Sequence, residues 1–106
     1  MSSNWETMLD KIQDSAALKL EIKTLLNDCS TEDGEFMQRQ GAMLKKYLQQ
    51  LADGTINADE FKDNILDLRS GVVSESLKLE VKSMARVQAI ADKISSALLD
   101  RLLKLI

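Results

Sequence analysis

Several things are missing from this 106-residue chain, and each absence excludes something. It has no proline, so nothing in the sequence forces a helix to kink or stop by losing a backbone N–H. It has no histidine, which removes the imidazole base, the Cys–His and Ser–His nucleophile pairs and the ordinary zinc site in one stroke. A single cysteine, Cys29, excludes an internal disulfide. Aromatic residues make up only 4% and valines are few, which argues against strands. No apolar run is long enough to span a bilayer, and the N-terminus Met-Ser-Ser-Asn-Trp-Glu lacks the basic and apolar regions of a secretory signal. The expectation is a cytoplasmic protein without a transmembrane segment.

What is present is 44% hydrophobic and 29% charged residues, rich in Leu, Lys, Glu, Asp and Ala. These are good helix formers, and the length suits one domain with one modest core. The fold class expected is all-α: an elongated four-helix arrangement in a single domain over 1–106, with helices about 5–28, 33–52, 58–69 and 75–105. There is no repeat, low-complexity stretch or linker. The net charge of −3 is unevenly spread. Residues 1–70 hold 8 Lys/Arg and 13 Asp/Glu (8 − 13 = −5), whereas residues 71–106 hold 6 and 4 (6 − 4 = +2). The basic C-terminal part suits the chain's own acidic half better than an outside partner.

In the first helix Trp5, Met8, Leu9 and Ile12 form one apolar run, and Leu18, Ile22, Leu25, Leu26 and Cys29 another. The two runs share no common face, and the phase changes at Asp14-Ser15, so a bend or two different neighbours are expected there. Ser3 or Asn4 suits the N-cap. Asn27 to Gly34 reads as a loop, with Ser30 or Thr31 capping the next helix and Glu32, Asp33 and Glu35 matching its dipole. Met37, Gly41, Leu44, Leu48 and Leu51 then form a seam of coiled-coil spacing, in which Gly41 marks either close approach of a neighbour or simple tolerance of a small residue. The third helix is expected to end at Arg69, with Gly71 left-handed and Val72 packing back on Leu66. Ser74 is then expected to open the last helix.

The stretch Asp53-Gly54-Thr55-Ile56-Asn57-Ala58-Asp59-Glu60-Phe61 resembles the second half of an EF-hand calcium loop. Asp53 falls at loop position five, Gly54 at six, Ile56 at eight and Glu60 at twelve. Position three, however, is Leu51, which offers a hard cation no oxygen, and position one is the neutral Gln49. The same residues read better as punctuation. Gly54 ends one helix in the left-handed conformation, Asn57 and Glu60 form a capping box, and Ile56 and Phe61 form a hydrophobic staple. No metal site and no cofactor follow from the sequence.

Leu77, Val81, Met84, Val87, Ala91, Ile94, Leu98, Leu102 and Leu105 make a stripe along the last helix. At about 45 Å for 30 residues, that helix outruns a globule of this size unless it bends or the domain is elongated. Near its end only Asp100, Arg101 and Lys104 are polar, confined to an arc of about 100°. The rest is wider than one core contact needs. Leu98, Leu99, Leu102, Leu103 and Ile106 are therefore the candidate partner-binding residues, unless the other helices wrap both sides within one monomer.

Lys78, Lys82, Arg86, Lys93, Arg101 and Lys104 share the helix's polar side and read as a solvated face with local pairs such as Asp100 with Lys104. Acidic overall charge and few stacking aromatics argue against nucleic acid. No catalytic constellation is present. The function expected is a non-enzymatic helical module for protein–protein interaction or assembly, of adaptor or accessory type, self-associating as a homo-oligomer or binding another helical protein. The alternative is a peripheral membrane-surface or divalent-cation-responsive regulator.

Overall fold

The computed structural model describes residues 4–32 and 34–106. Five helices follow one another, with no strand among the described residues. They are α1 (Asn4–Asp10), α2 (Ala16–Thr31), α3 (Glu35–Asp53), α4 (Ala58–Ser76) and α5, which spans 81–105. Helix α5 starts as an α-helix over Val81–Lys93, continues as a π-helix over Ile94–Leu102 and closes with the α-turn Leu103–Leu105. The all-α class with a long C-terminal helix is thus as expected. The domain measures 41 × 23 × 23 Å, and 25 residues of helix span about 37 Å. The long helix therefore lies within the elongated body, and nothing overhangs.

The expected first helix is two helices. Their apolar runs are out of phase, and a corner at residues 11–15 lets both reach the core: Trp5 and Leu9 from α1, Leu18, Ile22, Leu25 and Cys29 from α2. Asp14 takes a left-handed φ of 62°, a conformation that Asp tolerates better than most residues. Buried Ser15 completes the corner. Its hydroxyl donates to the carbonyl of Ile12 at 2.8 Å and to that of Leu9, which also accepts from the Ile12 N–H at 3.0 Å where α1 stops. Ion pairs Lys19–Asp10 (2.8 Å) and Lys23–Glu6 (3.3 Å) clip the two helices together. The hydrogen bond to Asp10 also holds the Lys19 ammonium above its usual range.

Other boundaries moved as well. Ser30 and Thr31 stay with α2, each donating back to the Asn27 carbonyl at 2.9 Å, and neither caps α3. The cap position of α3 is Gly34, at φ 101°. Ser3 and Asp33, named as a cap candidate and an acidic dipole partner, lie outside the described residues. Helix α4 does not stop at Arg69. It runs on to Ser76, so Gly71 is interior rather than left-handed and Ser74 opens nothing. Burial explains the overrun: Val72 and Ser76 are both fully buried, which outweighs the cost of about 1 kcal/mol for a helical glycine. Leu66, the proposed partner of Val72, is instead 41% exposed.

The junction of α3 and α4 follows the punctuation reading. Gly54, at φ 78°, donates its N–H to the Leu51 carbonyl at 3.2 Å, and Thr55 donates to that of Gln50 at 2.9 Å. This is a Schellman ending. The Asn57 side chain accepts from the Glu60 N–H at 2.8 Å, and Glu60 Oε1 accepts from the Asn57 N–H at 3.1 Å, closing the capping box. Phe61 is fully buried, and Ile56 packs against the same core.

The π segment solves a phase problem. Val87, Ile90, Ala91 and Ile94 form the buried stripe of the first part of α5. If α winding continued past Ile94, Arg101 would fall about 20° from it, inside that stripe, with Leu99 and Leu103 about 140° and 180° away. With i→i+5 bonding and ~80° per residue, Leu99 and Leu103 swing to within about 40° of Ile94, and Arg101 turns about 160° away. The observed burial follows the second pattern. Ala97, Leu98 and Leu102 are buried, Leu99 and Leu103 pack against the core, and Asp100 and Arg101 are exposed.

Gly41 has a packing reason. A Cβ placed there would lie 2.8 Å from the Cβ of Cys29, so α2 and α3 touch through a residue without a side chain. Gly41→Ala gains about 1 kcal/mol of helix propensity but adds overpacking that typically costs 1–3 kcal/mol. A net loss of up to about 2 kcal/mol in urea unfolding is expected. A gain would show that the helices separate freely at this point.

Candidate interaction surface

The five residues put forward as a contact do not stand together on the surface. Leu98 and Leu102 are fully buried, inside the core formed with α2 and α4. Leu99 and Leu103 are half-buried against the same core. Only Ile106, 47% exposed, is open. Leu98 and Leu102 are thus corrected from partner contacts to core residues: the wrapping of the helix by its own monomer accounts for them. The error lay in assuming α winding, which spreads the leucines over an arc too wide for one core.

The exposed apolar residues lie elsewhere. Among the described residues, eight large hydrophobics are exposed, and five of them flank α5: Leu77 (68%), Leu79 (37%) and Val81 (76%) at its start, Leu105 (40%) and Ile106 at its end. Leu77 and Leu79 belong to the turn that joins α4 to α5, and Val81 is the first residue of α5; in the turn Lys78 N donates to the Glu75 carbonyl and Leu79 N to that of Ser76, both at 3.1 Å. Helix α4 ends there because Ser76 is held from within. Its hydroxyl donates to the Val73 carbonyl at 2.6 Å and accepts from Gln88 Nε2 at 3.4 Å. The chain then turns outward, and the alternation Leu77-Lys78-Leu79-Glu80-Val81 leaves three aliphatic side chains in solvent. An alternating pattern inside an all-helical chain was the available signal for this surface.

The basic residues of α5 are mostly committed to the chain itself. Arg86 meets Glu32 at 2.9 Å, Lys93 meets Asp28 at 2.9 Å, and Arg101 pairs with Glu21. These pairs run between helices rather than along one, so α5 lies antiparallel to α2 with its positive side against the acidic half. The charge asymmetry read from the sequence is matched internally. Lys78 pairs locally with Glu75 at 3.5 Å.

Hollows in the surface offer little chemistry. One of about 500 Å³ lies between α1, α2 and α3 and is lined by Trp5, Leu26, Gly41 and Ala42 among others. Of its charged walls Glu6, Lys23 and Lys45, the first two pair with each other. Among the described residues no group of three or more His, Cys, Asp or Glu is placed to hold a metal ion, and no helix is long and apolar enough to cross a membrane. No protein-family model, curated protein or solved structure matches the chain.

Cys29 is fully buried in the last turns of α2. Burial, aided by the nearby carboxylates of Asp28 and Glu32, pushes its thiol up to about 11, from an ordinary value of 9.0. The thiolate is the reactive form, so the folded protein should resist alkylation at neutral pH. Labelling by a thiol reagent is expected to track unfolding, and fast labelling of the native protein would contradict the burial. A raised folded-state value also means that the unfolded chain loses this proton first. The stability it contributes is intact below pH 9 and declines towards pH 11, as a series of melts across that range would show.

Proposed function

We propose that this chain is a non-enzymatic helical interaction module, acting by protein–protein contact through the two ends of its last helix. The observation that carries this reading is the placement of the exposed aliphatic residues. A protein with 29% charged residues has ample means to keep its surface polar. It nonetheless exposes Leu77 and Leu79 in the turn and Val81 at the start of α5, with Leu105 and Ile106 at the far end of α5. A run of large exposed apolar side chains is costly in water and marks a surface that another surface covers. The middle of α5, with Val87, Ile94, Leu98 and Leu102 buried, serves as a strut that fixes the distance between the two ends.

The absence of histidine from the sequence and the internal pairing of Arg86, Lys93 and Arg101 favour binding over acid–base chemistry, and over a basic face laid on a membrane or on nucleic acid. The protein fits best as an accessory or adaptor component whose specificity resides in two small apolar contacts.

The triple variant Leu77→Ser, Leu79→Ser, Val81→Ser tests this. These positions are exposed, so the melting temperature should stay within a few degrees of the parent. Complexes recovered from the native host with the parent chain should disappear with the variant. If recovery is equal for both, or if the variant unfolds, the turn is part of the fold rather than a contact.

A further inference from the structure

Nothing in the sequence of residues 4–31 requires the corner between α1 and α2, because that stretch contains no proline and no glycine. The corner rests on two residues. Asp14 sits in the left-handed region, which is costly for a residue with a Cβ, and the Ser15 hydroxyl donates to the carbonyls of Leu9 and Ile12 in place of helical bonding. Helix α1 thereby folds back antiparallel to α2 and packs against α2 and α3. Trp5 and Leu9 are buried there, Glu6 meets Lys23, Asp10 meets Lys19, and the Asn4 amide donates to Asp53. On one continuous helix, Trp5 and Leu9 would lie about 140° and 180° from Leu18, turned away from the chain's own core. A straightened α1 therefore needs another body to cover it, and leaves behind a groove shaped for α1.

We propose that two copies of this chain exchange their first helices, each straightening its corner and laying α1 in the other's groove. The structure fixes the occupant of that groove, since it is α1 itself in identical chemistry, supplied by the second copy. The charges involved are paired within one chain in the monomer, and the exchange re-forms each pair between chains and leaves none open. The pairs also have the symmetry that an exchange needs. Glu6–Lys23 and Asp10–Lys19 are both centred between Asp14 and Ser15. Two straight helices laid antiparallel across a two-fold axis at that point make each pair twice. The faces agree as well: on a straight helix Trp5, Leu9, Ile12 and Leu26 fall within an arc of about 100°, so the apolar side of α1 and the side of α2 that receives it look the same way. The exchanged form gains helical bonding across residues 11–15 and releases Asp14 from the left-handed region. It gives up the hydrogen bonds of Ser15 and the freedom of a separate monomer, so concentration decides between the two forms. A short hinge under strain is the setting in which such exchange occurs. Neither end of α5 takes part, and the exchange does not depend on the function proposed for them.

Sedimentation equilibrium of the full chain, refolded from urea at micromolar to millimolar concentration so that both forms are reached, tests the exchange. The parent chain should pass from monomer to dimer across that range. Asp14→Ala, which disfavours the left-handed corner and favours helix, should dimerise at a concentration about tenfold lower, and Asp14→Gly, which relaxes the corner, at a higher one. The double variant Glu6→Cys, Lys23→Cys reads the connectivity. Oxidised as a dimer, it should run as a covalent dimer on a non-reducing gel, because each bridge joins two chains; the native Cys29 is buried and does not compete. A parent chain that stays monomeric at millimolar concentration overturns the proposal. So does a dimer in which the double variant is bridged only within single chains, which would place self-association on another surface, and so does a dimer that Asp14→Gly strengthens.

Discussion

The structure depends on keeping one continuous apolar stripe of α5 turned inward while Arg101 is turned outward. Val87, Ile90, Ala91 and Ile94 set the direction of that stripe, and the leucines that follow are out of step with it in an α-helix. Putting an arginine into the core line would desolvate a permanent charge, a far larger cost than one less favourable helical register. Winding Ile94–Leu102 as a π-helix, which is rare and usually limited to a single turn, brings the two halves into phase. Once α5 can lie flat along its length, α2 and α4 can close on it, and α1 and α3 complete the body.

The charged residues then work as alignment rather than as glue. The pairs of Lys93 with Asp28 and Arg101 with Glu21 are solvent-exposed, and that of Arg86 with Glu32 is half so; exposed pairs of this kind contribute about 0–1 kcal/mol each. They do favour a single register of α5 against α2, since sliding by one turn would bring each cation opposite the wrong neighbour. Stability comes instead from buried aliphatic side chains and from close approach at Gly41, where the Cβ of Cys29 fills the space a side chain would need.

Much of this was legible in the residues. Helix content, the turn and capping box from Gly54 to Glu60, the phase change at Asp14-Ser15 and the internal use of the basic segment all rest on local chemistry or on composition. What could not be read depended on tertiary burial. Gly71 looked like a helix end because its local preference points that way, yet the burial of Val72 and Ser76 carries α4 through it. Leu98 and Leu102 looked like surface residues because a helical wheel assumes one winding throughout. The turn at Leu77–Val81 was overlooked because its aliphatic residues fit the period of a longer last helix, which in fact begins only at Val81.

Native-state hydrogen exchange, followed residue by residue along α5, tests the central claim most directly. If the π-wound segment is a core strut, amides from about Val87 to Leu102 exchange only through global unfolding and are as slow as the slowest amides of α2. Exchange of residues 94–102 well below the global unfolding free energy, with α2 still protected, would show a loosely attached tail and contradict the account.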